Sequence, residues 1–337
     1  MARRCSRSSP QAVRDPGSAV THARSQPDAC SVIWDRTPDS ALGTAAAAGF
    51  WIALEQRGPW GRQAATQSRL DPELGLALDG RAQEEGGRLI LIRRPGAHSA
   101  AREVPHRVYL AGGLAHRPWL LQADLDDPAQ LLRLPWAALR EGDMDAVRSW
   151  LPAFEESARP ILMICSNSRR DICCAVRGRP VALESWSQRP GLVWECSHTG
   201  GHRFSPTGVL LPHGQVLARL SSATAVAVVD AAARGELPVE LLGAAYDRGR
   251  SHLTSPEQAA ESVVRQQIQE PTLLALTTKG APHTTQANAW CCRVSHIDGR
   301  RWDVVAVRSS SGEDRPESCG GLAVPTWQWS VLSGVGP

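Results

Sequence analysis

The chain has 337 residues, enough to bury a sizeable core in two or three domains. Its 37 basic and 34 acidic side chains give a net charge of +3, and Lys279 is the only lysine. No basic run is interleaved with aromatic residues, so we expect neither DNA nor RNA as a partner. Nine cysteines are too few for a disulfide scaffold of this length and fit reduced thiols in a cytosol.

Neither an export signal nor a membrane span is predicted. The first residues carry several arginines, but no apolar segment follows them. The longest apolar run, residues 45–54, is too short to cross a bilayer and is better interpreted as a buried strand. The sequence therefore predicts a soluble, cytoplasmic protein without a membrane partner.

Residues 1–40 are rich in Arg, Ser, Pro and Asp, and they show little periodic apolar pattern. Such a composition predicts a disordered tail, because too little apolar surface can be buried to offset the entropy of ordering. Cys5 and Cys30 fall in this tail and are interpreted as incidental thiols.

The first folded unit is predicted over residues 41–155. An apolar strand starts at Gly49, and a helix follows with Asp71 as its N-cap and Pro72 at the first helical position. Residues 88–93 and 106–111 have the pattern of strands, and a second helix is expected to start at Asp127-Pro128. This α/β unit has no nucleotide-binding or acyl-enzyme motif.

The second unit, residues 156–236, begins with a uniformly apolar strand at 161–164, as expected where both faces of a sheet are covered. A helix over residues 171–186, strands at 192–196, 208–211 and 215–220, and a closing helix over residues 223–234 follow. This order is that of a thioredoxin-like domain, so the fold class predicted for the chain is α/β (α+β).

The last unit, residues 237–337, is predicted to combine one helix with short strands. Ser255 as N-cap, Pro256 and Gln258 form an apparent capping box. Strand-like segments follow at 272–277, 289–294 and 302–307. The tail beyond them, with Cys319, has an irregular pattern.

Two thiols and two imidazoles form the main chemical signal in the sequence. Cys165 and Cys174 are spaced Cys-x8-Cys, and His198 and His202 are spaced His-x3-His. Two glycines between the histidines disfavour the helix of a zinc peptidase. The donor set suits tetrahedral zinc or a [2Fe-2S] cluster in which His replaces Cys on one iron, and eight intervening residues do not form a zinc knuckle.

Two segments resemble the signatures of the sucrase/ferredoxin-like family. They are Cys165-Ser-Asn-Ser-Arg-Arg-Asp-Ile-Cys-Cys174 and Trp194-Glu-Cys-Ser-His-Thr-Gly-Gly-His-Arg-Phe204, and the turn Gly58-Pro-Trp-Gly61 and the segment starting at Gly249 are also similar. The resemblance implies a thioredoxin-like ferredoxin fold with a [2Fe-2S] cluster bound by Cys165, Cys174, His198 and His202. Cys173 remains the alternative to Cys174, and Cys196 is interpreted as a buried thiol.

These patterns favour a one-electron carrier or redox sensor served by a separate reductase and an electron acceptor, neither of which the sequence identifies. A structural zinc protein with the same four ligands is one alternative. The other is a thiol-disulfide oxidoreductase whose nucleophile is Cys165 or one of Cys173 and Cys174. No paired-carboxylate motif indicates glycoside hydrolysis.

Overall fold

The computed structural model describes residues 29–37, 39–96 and 105–333, and within them the chain forms two β-sheets. The larger sheet has ten strands in the order β10-β9-β8-β6-β7-β2-β1-β3-β4-β5, and the smaller is a four-stranded antiparallel meander, β11-β12-β13-β14. In chain order the strands are β1 Trp51–Glu55, β2 Arg88–Arg93, β3 His106–Gly112, β4 Trp119–Leu125, β5 Glu155–Glu156, β6 Ile161–Cys165, β7 Val193–Cys196, β8 Gly208–Leu211, β9 Gln215–Leu217, β10 Asp247–Arg250, β11 Leu276–Pro282, β12 Ala289–His296, β13 Arg301–Pro316 and β14 Ala323–Ser333.

Seven α-helices lie among these strands in the described residues. They are α1 Cys30–Asp35, α2 Pro72–Glu84, α3 Trp136–Glu141, α4 Met144–Trp150, α5 Arg179–Gln188, α6 Ser222–Ala232 and α7 Ser255–Gln267. The mixture of helices and strands confirms the predicted α/β class. Pro128–Arg133, where a helix was expected, forms a 3-10 helix, and the α-helix begins only at Trp136.

The first half of the large sheet contains the helix and strands that local sequence patterns predict. The Asp71 carboxylate accepts the N–H of Leu74 at 2.8 Å and so caps α2. β1 pairs in parallel with β2 and antiparallel with β3, and β3 pairs antiparallel with β4. The strand order is therefore β2-β1-β3-β4, with α2 as the crossover between the parallel strands.

The second half repeats this plan, in the element order that the sequence predicts for residues 156–236. β6 pairs in parallel with β7 through α5, then antiparallel with β8, which pairs antiparallel with β9. Its order, β7-β6-β8-β9, is that of the first half, and a fifth strand extends each outer edge. The sequence did not predict that the N-terminal unit has the same topology.

The two halves join through β2 and β7, which pair antiparallel with Arg93 opposite Glu195. Trp51 and Ile92 of the first half and Met163 and Trp194 of the second lie in one buried cluster on the same side of the sheet. The unit boundaries drawn at residues 41, 156 and 237 remain predictions, but the first two units share one sheet and one core.

The C-terminal segment differs from its prediction in three places. The strand expected at residues 272–277 begins only at Leu276 and runs to Pro282 as β11. Thr254, not Ser255, is the N-cap of α7, because the Glu257 carboxylate accepts the Thr254 N–H at 2.9 Å. The tail expected to be irregular contains β14, which pairs with the long strand β13. Helix α7 packs its Ala260 and Val264 against the meander.

Residues 30–35, placed by the sequence in a disordered tail, form helix α1. Cys30 and Trp34 are buried, and the Trp34 indole N–H donates to the Pro316 carbonyl at 2.9 Å. The helix thus has a partner distant in sequence, the end of β13, which local composition could not indicate. Cys5 lies outside the described residues.

Candidate metal centre

The carboxyl ends of the parallel strands β6 and β7 bring the predicted ligands together. Cys165 is the last residue of β6 and lies opposite Cys196, the last residue of β7. The chain leaving β7 carries His198 and His202. Cys174 begins a π-helical turn, Cys174–Gly178, of a kind often found at functional sites, which leads into α5.

The four predicted ligands converge on one spot. The Cys174 Sγ lies 3.4 Å from Nδ1 of His202, and Cys165 is hydrogen-bonded to both Cys174 and His198. The two imidazoles stack, with ring centroids 4.8 Å apart and planes inclined at 24°. The structure therefore links two sulfur and two nitrogen donors through pairwise contacts: Cys174 with His202, Cys165 with Cys174 and His198, and one imidazole with the other.

Hydrogen bonding sets the protonation of this group. The hydrogen bond from Cys174, and then that from His198, hold the pKa of Cys165 well below its usual value, whereas the same bond to Cys165, with burial, raises the pKa of Cys174. One thiolate and one thiol thus share a proton. Burial, followed by the neighbouring His198, lowers the pKa of His202, so its ring is neutral at pH 7. Thiolate and neutral imidazole are the forms that bind metals.

A buried arginine provides positive charge beside the thiols. Arg248 is 1% exposed, and its guanidinium donates to the Gly200 carbonyl at 2.9 Å and to the Thr44 hydroxyl at 3.0 Å. Burial lowers its pKa to about 9, so the group remains charged at neutral pH, where it interacts favourably with Cys165 and Cys174. Sequence reasoning missed Arg248, although it directly precedes the family-like segment that starts at Gly249.

The histidine side of the group faces solvent. Cys165 and Cys174 are 1% and 0% exposed, whereas His198 and His202 are half-buried. Both imidazoles line a cleft of about 260 Å³. The other side chains and glycines lining it are Arg62, Arg170, Gly200, Gly201, Arg203, Glu317 and Ser318.

Of the two other cysteines nearby, Cys173 is oriented away from this group, whereas Cys196 lies in the same buried cluster as Cys165 and Cys174. Cys173 contacts Cys30 and Cys319, with Sγ–Sγ distances of 3.5 and 2.9 Å, so of the adjacent pair it is Cys174 that faces the histidines. Cys196 is fully buried, and burial raises its pKa well above the usual value. Its position agrees with the interpretation as a packed thiol.

Trp60 and Arg203, which lie in segments that resemble the family, have structural partners. Trp60 is 4% exposed and donates its indole N–H to the Gln56 carbonyl at 2.8 Å. Arg203 forms an ion pair with Glu317 at 2.7 Å and lies over the ring of Trp34. These contacts assign packing to Trp60 and tie Arg203 to the β13–β14 turn.

The donor set fits the iron–sulfur group that the family resemblance implies. Two sulfur donors lie on the buried side and two imidazoles on the open side, and such a cluster accepts both kinds of donor. Gly200 and Gly201 both adopt positive φ (+76° and +69°), and nothing lies within 4 Å of a Cβ built at Gly200. The loop between the histidines therefore has open space beside it.

The fold and this group define an α/β protein with buried thiols and half-buried imidazoles at the carboxyl ends of parallel strands. The chain belongs to the sucrase/ferredoxin-like family, whose model matches residues 42–242. No curated protein and no solved structure matched the chain. No helix in the described part of the chain has both the length and the apolar character needed to cross a membrane.

Proposed function

We propose that this protein is a one-electron carrier or redox sensor whose [2Fe-2S] cluster is bound by Cys165, Cys174, His198 and His202. The observation that supports it most directly is that two buried sulfurs and two half-buried imidazoles meet at the carboxyl ends of β6 and β7. Replacing two thiolates by neutral imidazoles raises the potential of such a centre toward the range of about −150 to +300 mV.

We propose that electrons enter and leave through the side of the group where His198 and His202 line the cleft. Because the sulfurs are buried and the imidazoles line the cleft, a redox partner approaches the His side at the shortest distance. Arg62 and Arg170 line the same cleft, so an acidic docking surface on the reductase or acceptor would be complementary.

Anaerobic purification followed by iron and acid-labile sulfide analysis tests the proposal. We expect about two irons and two sulfides per chain, with a visible spectrum that Cys174→Ala abolishes and Cys173→Ala retains. His202→Cys should keep the cluster and lower its potential, because a thiolate adds negative charge. Material that contains neither iron nor sulfide would refute the proposal.

A mononuclear zinc site is the second candidate, and a distance favours it. The 3.4 Å between Cys174 Sγ and His202 Nδ1 is close to the roughly 3.5 Å expected between S and N ligands of one tetrahedral zinc. Such a protein would be colourless and would contain zinc that Cys165→Ala removes. Thiol-disulfide exchange is less well supported, because both Cys165 and Cys174 are buried from any protein substrate.

A further inference from the structure

A second cluster of sulfur ligands lies on the other side of Cys173. The Sγ atoms of Cys30, Cys173 and Cys319 are 2.9 to 3.6 Å apart. Both carboxylate oxygens of Asp171 lie 3.9 Å from the Cys30 Sγ, and the ligand atoms of all four residues fall within 4.8 Å of one another. From these positions we propose a structural zinc site bound by Cys30, Cys173, Cys319 and Asp171, here named the staple site.

The distances agree with a closed tetrahedral zinc site. With Zn–S bonds of about 2.3 Å and a Zn–O bond of about 2.1 Å, tetrahedral geometry requires about 3.8 Å between sulfurs and about 3.6 Å between sulfur and oxygen. The observed separations need adjustments of less than about 1 Å. Thiolate donors select zinc over magnesium or calcium, and a fourth protein ligand leaves no open position for catalysis.

Burial of three of the four ligands makes the binding of a cation energetically favourable. Cys30, Cys173 and Asp171 are 0%, 2% and 4% exposed. The Asp171 carboxylate accepts the N–H groups of Cys173 and Cys319, each at 2.9 Å, but forms no ion pair with an arginine or lysine of the described residues. A buried carboxylate beside three thiols is costly without a cation, and a divalent ion would supply the missing positive charge.

The four ligands come from three distant parts of the chain. Cys30 begins helix α1, Asp171 and Cys173 lie in the loop after β6, and Cys319 lies in the turn between β13 and β14. A zinc ion there would fix both terminal segments to the loop that also carries Cys174. Cys30 and Cys319 lie outside residues 42–242, so the site would use segments beyond the family-matched region.

Metal analysis of the full chain, purified without oxygen or chelator, tests the staple site. We expect about one zinc per chain in addition to whatever metal the Cys165 group holds. Cys30→Ser and Cys319→Ser should each lose that zinc and retain the metal of the other centre, which also reports that the variants fold. Cys291→Ser, which removes an exposed thiol on β12, is the matched control and should retain all metal.

Further measurements separate this proposal from the proposed function and from a disulfide. Cys165→Ala should lose its own metal and keep the staple zinc, so either centre can fail independently. X-ray absorption at the zinc edge of Cys165→Ala, which lacks the metal of the other centre, should find three sulfurs and one oxygen. The unmodified protein should give the same zinc shell when its other metal is iron. Absence of zinc, a sulfur–nitrogen shell only, or a disulfide between Cys173 and Cys319 found by mapping unreduced peptides would overturn the proposal.

Discussion

The buried ion pair between Arg93 and Glu195 joins the two halves of the large sheet, and its removal gives a sharp prediction. One Glu195 carboxylate oxygen accepts from the Arg93 guanidinium at 2.6 and 2.8 Å and from the Ser166 hydroxyl at 2.8 Å. Arg93 is 3% exposed and Glu195 is 1% exposed. The substitution Glu195→Gln keeps the shape of the side chain and leaves the guanidinium charge buried without a counter-charge.

We expect Glu195→Gln to lower the free energy of unfolding by about 3–5 kcal/mol, the usual result of breaking one half of a buried pair. Arg93→Met should cost a similar amount. The double variant Arg93→Met/Glu195→Met should cost only about 1–3 kcal/mol, because both charges of the pair leave together and no unpaired charge of the pair stays buried.

Urea unfolding followed by circular dichroism measures these differences, provided that the slope of the transition stays constant among variants. Asp303→Asn is the matched control, because the Arg293–Asp303 pair has the same kind of contact at 2.7 Å but is 61% and 68% exposed. Because water screens an exposed pair, this substitution should leave the unfolding transition close to that of the unmodified protein. Additive single-variant costs, or a Glu195→Gln effect as small as the control's, would contradict the argument that desolvation governs this pair.

Two predictions concern the buried Arg248. If the centre is a [2Fe-2S] cluster, Arg248→Met should lower its potential in a redox titration, because the positive charge that favours the reduced form is lost. The expected size is roughly tens of millivolts, the order that Coulomb's law gives for one charge near a redox centre at an effective dielectric constant of about 20, and Arg248→Lys should retain most of the potential. An unchanged or higher potential in Arg248→Met would show that this charge does not act on the centre. Gly201→Ala should destabilise the protein by about 1–2 kcal/mol more than Gly200→Ala in thermal unfolding, because both residues have positive φ but only a Cβ at Gly201 lies 2.5 Å from the Arg248 guanidinium. Equal effects of the two alanines would indicate that Arg248 moves aside freely.

Local signals in the sequence predicted several elements of the fold, including the strand that carries Cys165. The buried strand ending at Cys165 was predicted because a strand covered on both faces requires a continuous apolar run. The helix after Asp71 was predicted because an N-cap residue and a proline at the first helical position mark the start of a helix. The ligand set Cys165, Cys174, His198 and His202 came from two short spacings together with the family resemblance, and it remains a prediction.

Contacts between distant segments could not be predicted in this way. The antiparallel join of β2 and β7 depends on residues about a hundred positions apart, and the matching topology of the two halves has no repeated motif in the sequence. Cys30 is another case, since its neighbours Cys173 and Cys319 are 143 and 289 residues away. The composition of its surroundings suggested disorder, but tertiary packing against β13 orders the helix.

The sheet that passes through both halves links metal content to the folding of the whole chain. An ion held only by the native state stabilises that state by mass action, and any substitution that favours unfolding reduces the fraction of chains able to hold the ion. A change on β1 or β3, which carry none of the proposed ligands, can therefore lower the occupancy of the proposed sites. A low metal content in a variant identifies the substituted residue as a ligand only when the same sample is also shown to be folded.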